Sequence, residues 1–229
     1  MKRWMAWLAL LGWLGLPGGP GSALAEEAAP PLKPVTLSFD QKTLKQGAHV
    51  FAEVCMGCHS LRYVTWKHLM DYPEIGMTRE EVDEMRGDAP LTAPIKTALS
   101  EEDAKASYGI VPPDLTLMAR AREGGGAYIY SLLLGFEHDP KGKVPDGNYN
   151  VYFPGHRIAM ADPLGWLDHD ADEEADLKAQ ARAVASFLAF VGEPHQLERK
   201  ALGKKVLIFL VVLTLLFWLL KREVWKDVH

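Results

Sequence analysis

Cys55-Met56-Gly57-Cys58-His59 is the stretch that decides the fold of this 229-residue chain. A Cys-x-x-Cys-His run is the attachment signature of a c-type haem. Its two thiols add to the haem vinyl groups as thioethers, and the imidazole of the next residue coordinates the iron from the proximal side. Residues at i, i+3 and i+4 share one face of a helical turn, so a single turn can hold the porphyrin and its metal. The motif therefore predicts one covalently bound haem c.

Two other kinds of site use a Cys-x-x-Cys pair. A thioredoxin-like redox pair belongs to a βαβ setting, and a zinc site usually adds a second ligand pair downstream. The chain contains only two cysteines, and no pair of histidines at tight metal-ligand spacing follows the motif. An exported thiol–disulfide enzyme that uses Cys55 and Cys58 remains the alternative from a different functional class.

The N-terminus has the three parts of a cleavable secretory signal: Met1-Lys2-Arg3, an apolar stretch from Trp4 to Leu16, and the small-residue exit Ala23-Leu24-Ala25. Cleavage is expected after Ala25, which makes residues 1–25 the signal peptide. A retained N-terminal anchor is the alternative. Export fits haem attachment, because free cysteines on the oxidising side of a membrane would otherwise pair.

A charge-free run from Val206 to Leu220 lies near the C-terminus, between Lys204-Lys205 and Lys221-Arg222. Fifteen helical residues span about 22 Å, less than the roughly 30 Å of a bilayer core, but long basic side chains can reach the headgroups. We predict one transmembrane helix, with a buried helix as the alternative. Residues 26–198 then form an exported haem domain, and residues 199–229 form an anchor with a short cytoplasmic tail.

Charge is divided unevenly along the chain. Residues 26–198 hold 16 Lys and Arg against 28 Asp and Glu, a formal charge of −12, whereas residues 199–229 carry +5. This balance argues against nucleic acid, a polyanion, as a partner and favours a positively charged protein. The densest acidic run, Asp168 to Asp176, is either part of a docking surface or the favourable acidic start of a helix.

The apolar pattern around the motif predicts an α-helical domain. From Asp40, apolar residues recur at three- and four-residue steps through Gly47 and Phe51 to the cysteines, and either Asp40 or Thr43 can cap the start of this helix. A glycine inside a helix costs about 1 kcal/mol relative to alanine, so Gly47 marks either a close helix crossing or a tolerated position on a wet face. A second helical pattern, from Ala175 to Val191 and ended by Gly192, is the expected partner in the crossing.

Several stretches resemble the cytochrome c1 family, the membrane-anchored haem-c subunits of quinol:cytochrome c oxidoreductase (cytochrome bc1) complexes. In chain order they are Phe39-Asp40, Gly47, Phe51, Cys55 to His59, Tyr63-Val64 and His68-Leu69, then Pro112 to Leu115 with Arg120-Ala121-Arg122 and Gly124-Gly125, then Tyr152 to Gly155 with Ile158 and Met160. A C-terminal anchor directly after the last exported helix completes the pattern. The resemblance covers nearly the whole mature chain.

The resemblance implies an all-α fold, with a class I cytochrome c-like haem domain carrying insertions and one C-terminal transmembrane helix. It implies one-electron transfer from a Rieske iron–sulfur protein through haem c to a soluble cytochrome c, in which no side chain does bond chemistry. Cytochrome b is the implied membrane neighbour, in a dimeric complex of the bacterial inner membrane with the haem domain on the periplasmic side. A free-standing membrane-anchored monohaem cytochrome that serves an oxidase is the alternative.

A methionine is the expected sixth iron ligand. Met160 follows Pro154-Gly155 in a segment without helical period, and a loop of this kind can approach the distal face of a haem. The residues alone leave other methionines open as the sixth ligand. They are Met56 in the attachment loop, Met70, Met77 and Met85 in the helix and loop insertion that follows it, and Met118 in a helical stretch. The resemblance implies that Met160 and His59 are the two iron ligands.

Two more haem contacts follow from the resemblance. A guanidinium can hold a haem propionate bidentately, and the family's propionate-binding arginine matches Arg122, whereas Arg120 is expected to face solvent. Pro112-Pro113 fixes an extended segment, which lies against the haem edge in the family. Pro113 is therefore a candidate cofactor-binding residue, although by itself the pair indicates only a stiff turn.

Overall fold

The structure, a computed structural model, describes residues 29–140, 142, 144 and 147–226. The predicted signal peptide, residues 1–25, and the last three residues of the predicted tail lie outside the described residues. The α-helices are α1 (Gln41–Val50), α2 (His68–Asp71), α3 (Arg79–Arg86), α4 (Glu101–Tyr108), α5 (Met118–Ala121), α6 (Gly126–Leu133), α7 (Glu174–Val191) and α8 (Gln196–Val224). The strands are β1 (Leu61–Thr65), β2 (Pro94–Ile95), β3 (Asn148–Tyr149) and β4 (Arg157–Ile158).

Helices α1 and α7 cross at Gly47, as the first of the two readings of that glycine predicts. A Cβ atom on Gly47 would overlap the carbonyl oxygen of Ala183 and would lie 2.6 Å from the Cβ of Phe187. One turn further along α1, the rings of Phe51 and Phe187 pack with their centroids 6.2 Å apart. Both phenylalanines are almost completely buried. The missing side chain of Gly47 therefore lets the helix that leads to the haem motif lie directly on the backbone of α7.

Asp40 caps the start of α1, as predicted. Its carboxylate accepts hydrogen bonds from the backbone N–H and the hydroxyl of Thr43, at 2.9 and 2.7 Å. A hydrogen bond from the Ser38 hydroxyl, together with those from Thr43, holds the pKa of Asp40 far below its usual value. The cap is therefore ionised, and it satisfies a backbone donor that the helix leaves free.

The extended segment before α1 binds to the outer side of α6 and α7. The N–H of Lys33 donates to the Ser131 hydroxyl at 2.8 Å, and the Arg182 guanidinium donates to the carbonyl oxygen of Thr36 at 2.8 Å. Close contact is possible because a Cβ on Gly126 would lie only 2.5 Å from the Leu37 side chain. The segment ties the start of the domain to its last helix.

The short strands are the part of the fold that the sequence pattern does not indicate. Strand β1 pairs with β2, and β3 pairs with β4, both antiparallel. Three of the four have only two residues, too few for an alternating pattern to be recognised. Helices α3 and α4 and strand β2 lie between β1 and α5, and they contribute the buried side chains of Val82, Ile95 and Ala104. The mainly helical fold class is confirmed.

Helix α8 extends beyond the predicted span at both ends. It covers 29 residues, or about 43 Å at 1.5 Å per residue. Its most apolar 18-residue stretch has a mean hydropathy of 2.2, and none of that stretch is buried. Its charged residues lie near the ends, where Arg222 contacts the Trp218 ring at 5.3 Å. Among the described residues it is the one helix long and apolar enough to cross a membrane.

Candidate haem site

The attachment motif begins in a π-helical turn, Phe51–Cys55, that continues α1. The N–H of Met56 donates to the carbonyl oxygen of Phe51 at 2.8 Å, which is the i to i−5 bond of such a turn. A π turn adds one residue to the helical repeat and is frequent at functional sites. It rotates Cys55 relative to a regular helix. The apolar spacing at this point also fits an α-helix, so the sequence carried no signal for it.

The two cysteines and the histidine lie on one closed turn. The N–H groups of Cys58 and His59 both donate to the carbonyl oxygen of Cys55, at 3.1 and 2.8 Å. The Thr97 hydroxyl donates to the carbonyl oxygen of Gly57 at 2.7 Å and fixes the turn from outside. Cys55, Cys58 and His59 are therefore presented together, as the motif requires.

His59 contacts the segment that contains Pro113. Its Nδ1 lies 2.8 Å from the Pro113 carbonyl oxygen, so Nδ1 carries the hydrogen and donates it. Burial lowers the pKa of His59, while the Pro113 hydrogen bond and the nearby Asp114 charge oppose that shift. A neutral imidazole with Nδ1 engaged leaves Nε2 as the free lone pair for a metal. Pro113 thus acts through its backbone carbonyl.

Asp114 holds the Pro113 segment in place. One carboxylate oxygen accepts the Arg62 N–H at 2.8 Å, and the other accepts the Thr116 N–H at 3.0 Å. The N–H of Leu115 donates to the carbonyl oxygen of Ser60 at 2.9 Å. Sequence reasoning assigned no role to Asp114. An aspartate that accepts the backbone N–H of the residue two positions later is nevertheless a known turn-forming pattern.

The Cys55 thiol does not have the electrostatics of a reactive redox thiol. Burial, and to a smaller extent the neighbouring Cys58, raises the pKa of Cys55 to about 12. A nucleophilic thiol of a disulfide oxidoreductase has a lowered pKa, because the thiolate is the reactive form. The Cys58 sulfur lies 3.9 Å from the Tyr108 hydroxyl. The site therefore disfavours the thiol–disulfide alternative.

The residues around the motif fit a haem. Two thiols and one imidazole come from the same turn, which is the donor set of haem c. Next to them, Tyr108, Ile110 and Leu117 flank the Pro112-Pro113 segment and are 43 to 52% exposed despite their apolar side chains. Exposed apolar surface beside these donors is of the kind that an apolar ligand such as haem could cover.

Met160 lies in the bend that follows β4 and is half-buried. The other methionines of the described residues pack in or against the hydrophobic core: Met56, Met70, Met77, Met85 and Met118. Their thioethers are thus used for packing, whereas Met160 comes from a loop outside that core. Iron ligation by Met160 stays a prediction.

The two candidate arginines differ in their contacts. Arg120 forms an ion pair with Glu193 at 2.6 Å, so it is not simply solvent-facing as expected. Arg122 is exposed and donates to the carbonyl oxygen of Ala121 at 3.2 Å. It also lies beside Tyr128. Burial raises the pKa of Tyr128, and the charge and hydrogen bond of Arg122 partly offset this rise. Arg122 is therefore the better placed of the two to bind an anionic ligand group.

Comparison with known proteins identifies relatives of this site and fold. The model of the "Cytochrome C1 family" matches residues 31–98 and 88–228. The mitochondrial cytochrome c1 heme protein of Schizosaccharomyces pombe is 36% identical over 86% of this chain and 71% of its own length. The cytochromes c1 of Rhodospirillum rubrum and Allochromatium vinosum are 32% and 35% identical, each over 83% of this chain and over 83% and 86% of their own lengths. With matches over most of its length and the haem-attachment turn in place, the chain belongs to the cytochrome c1 family.

Proposed function

We propose that this protein is the haem-c subunit of a quinol:cytochrome c oxidoreductase, which takes one electron from a Rieske iron–sulfur protein and passes it to a soluble cytochrome c. The observation that carries the proposal is the Cys55–His59 turn with His59 oriented by the Pro113 carbonyl, in a member of the cytochrome c1 family. The name of a Candida albicans relative, "Cytochrome b-c1 complex catalytic subunit, mitochondrial", supports the assembly.

Four residues of this chain hold the cofactor in the proposal. Cys55 and Cys58 would provide the two thioether links, and His59 Nε2 and the Met160 thioether would bind the iron. The bound haem supplies the one-electron iron couple. Histidine and methionine ligation raises the reduction potential of a haem. The turn is half-buried at Cys55 and His59, and partial exclusion of water strengthens charge interactions there.

Arg122 and Pro113 complete the site. Arg122 neutralises a propionate, for which its exposed guanidinium beside Tyr128 is available. The Pro113 carbonyl keeps the imidazole of His59 in one tautomer and one orientation, a role that raises the basicity of a metal-binding histidine. Neither residue makes or breaks a bond during electron transfer.

The proposal includes the membrane arrangement. The signal ends at Ala25, residues 26–198 lie on the periplasmic side of the bacterial inner membrane, and residues 199–229 anchor the chain. Helix α8 then packs beside cytochrome b in a dimeric complex. The name of a Bradyrhizobium diazoefficiens relative, "Cytochrome b/c1", supports this neighbour. The basic residues after Leu220 favour a cytoplasmic tail.

Haem staining after denaturing electrophoresis tests the attachment. The wild-type chain, matured with a c-type haem attachment system, is expected to keep the stain, because thioether links survive unfolding. The Cys55→Ala/Cys58→Ala double variant should lose it. Tyr108→Phe, which removes the hydroxyl near the Cys58 sulfur but keeps both thiols, should retain it. A wild-type chain that loses its haem on denaturation contradicts the proposal.

A further inference from the structure

The loop before Met160 contains an unusual residue, His156. Its backbone lies in the left-handed region, with φ 59°. No other non-glycine residue in the described part of the chain has a positive φ. A side chain in this region is strained, although histidine tolerates it better than most residues. His156 is also only 8% exposed. A buried residue in a strained conformation persists when its surroundings fix it, and such residues cluster at functional sites.

The backbone of His156 closes a compact loop. Its N–H donates to the carbonyl oxygen of Phe153 at 2.8 Å, and its carbonyl oxygen accepts the N–H of Asn150 at 2.9 Å. The chain therefore reverses between Asn150 and His156, and β4 starts at the next residue. Strand β4 pairs with β3 through Asn148↔Ile158 and Tyr149↔Arg157.

The side chain of His156 packs inside the same loop. Its Nδ1 lies 3.3 Å from the Asn150 carbonyl oxygen and donates to it, and its ring lies 5.3 Å from the Tyr149 ring. The residues that face the ring are thus on β3 and at the first position of the loop. The ring fills the space between the two ends of the chain reversal.

The loop is attached to the helical core through Asn150, which is completely buried. The Asn150 amide donates to the carbonyl oxygen of Leu132 at 2.8 Å, and its side-chain oxygen accepts the N–H of Tyr152 at 3.1 Å. The N–H of Val151 donates to the carbonyl oxygen of Gly135 at 3.0 Å. These bonds join the loop to the end of α6, so its position relative to the core is fixed.

We propose that His156 is a positioning residue for the Met160 thioether, which it holds in place through the reversed loop and strand β4. Met160 lies two residues after the end of β4, and β4 is set by the turn that His156 closes. The inference rests on the proposed function, because it takes Met160 as the iron ligand. It adds a residue whose role is to keep the iron–sulfur bond formed.

Three substitutions separate the contributions of backbone and ring. His156→Val should be the most harmful, because a β-branched side chain rarely adopts positive φ. His156→Asn tolerates that conformation but lacks the ring, so an intermediate effect is expected. His138→Asn is the matched control, since His138 lies on an exposed loop with 80% of its side chain accessible.

The measurements follow the sixth ligand in the full-length haem-loaded protein. We expect His156→Val to lose the near-infrared absorption band of ferric iron bound to a methionine thioether, to lower the midpoint potential, and to raise carbon monoxide binding to the ferrous haem at least tenfold. His156→Asn should show a partial loss, and His138→Asn none. Haem staining after denaturation should be unchanged in all three.

A parallel Met160→Leu variant distinguishes the two ways in which the inference can fail. If Met160→Leu loses the band while His156→Val and His156→Asn keep it and exclude carbon monoxide as the wild type does, the positioning role is wrong and the ligand assignment stands. If Met160→Leu keeps the wild-type band, the ligand assignment itself is wrong, and the positioning role fails with it. Should His156→Val not accumulate, an unchanged band in His156→Asn overturns the inference.

Discussion

The Pro113 carbonyl oxygen determines which nitrogen of His59 is free, so one contact from a distant segment orients the histidine of the motif. The motif predicted the three residues of the turn, because their spacing is fixed by covalent chemistry. It did not predict the π turn or the role of Asp114, since neither changes the apolar pattern. Hydrogen bonds between residues about fifty positions apart, such as Asp114 to Arg62, leave no periodic trace in a sequence.

Met160→Leu should keep the haem attached and remove one iron ligand. The thioether links and His59 are untouched, so haem staining is expected to stay. The midpoint potential should fall by a fraction of the ~0.8 V range over which axial ligands tune haem proteins. Potentiometric titration checks the change. An unchanged potential and visible spectrum would point to another sixth ligand, with Met118 as the next variant to make.

Arg122→Gln should lower the midpoint potential, because a cation near the propionates disfavours the ferric state. Two unit charges about 10 Å apart at an effective dielectric constant of about 20 interact by about 2 kcal/mol, which for one electron is tens of millivolts. Arg120→Gln is the matched control, since Arg120 binds Glu193. Equal shifts in both variants would contradict the distinction between the two arginines.

At the scale of elements, the long helices were predictable from the sequence, whereas the short strands were not. Helix α7 covers Glu174–Val191, within one residue of the range expected from its apolar face and its glycine stop. Helix α8 extends beyond the apolar run Val206–Leu220. Lysines such as Lys204 have a high helix propensity, so the helix continues through charged residues that do not belong in the lipid core. Two-residue strands depend on tertiary contacts, and local sequence does not specify them.

Gly47→Ala should destabilise the crossing of α1 and α7. The new methyl group would meet the backbone oxygen of Ala183, which cannot rotate away, and overpacking of this kind costs about 1 to 3 kcal/mol. Thermal unfolding of the full-length protein in detergent, followed by circular dichroism, measures the effect. Gly203→Ala is the control, since a Cβ there meets nothing within 4 Å. Equal melting temperatures for Gly47→Ala and the wild type would contradict the close crossing.

Glu193 joins α5 to the start of α8, because it accepts from both Arg120 and Arg199. The Arg199 hydrogen bond, with the charges of both arginines, holds the pKa of Glu193 below its usual 4.5. A carboxylate with a lowered folded-state pKa contributes its stabilisation above the unfolded value, and this is lost as pH falls through the folded value. As pH falls below about 4.5, the Glu193→Gln variant should therefore lose less of its free energy of unfolding than the wild type does. Acid titrations of the two proteins with the same slope would contradict this link.

At the scale of the whole molecule, the division of charge has a kinetic consequence. Residues 26–198, with their net negative charge, should attract a basic electron acceptor. Complementary charge raises encounter rates by about 10 to 1,000-fold at low salt. The Debye length falls from about 30 Å at 0.01 M to about 10 Å at 0.1 M. Stopped-flow oxidation by a basic cytochrome c should therefore slow as salt rises. An acidic acceptor should show the opposite trend.

Neutralising Asp168, Asp170 and Asp172 tests one part of that surface. These residues precede the first turn of α7, which already contains Glu174 and Asp176. A lower bimolecular rate at an unchanged melting temperature would identify a docking patch. A lower melting temperature at an unchanged rate would identify a helix-start role instead. Rates that do not depend on ionic strength would contradict electrostatic steering altogether.

The central claim is that this chain carries its haem as a subunit of a quinol-oxidising complex. The most direct test is to isolate the protein gently from its membrane through a C-terminal tag, add a quinol, and follow the absorption band of the c-type haem. We predict that the quinol reduces this haem to the extent that dithionite does, with the stain still on this chain after denaturing electrophoresis. A haem c that dithionite reduces but quinol leaves oxidised would contradict the account and favour a free-standing carrier.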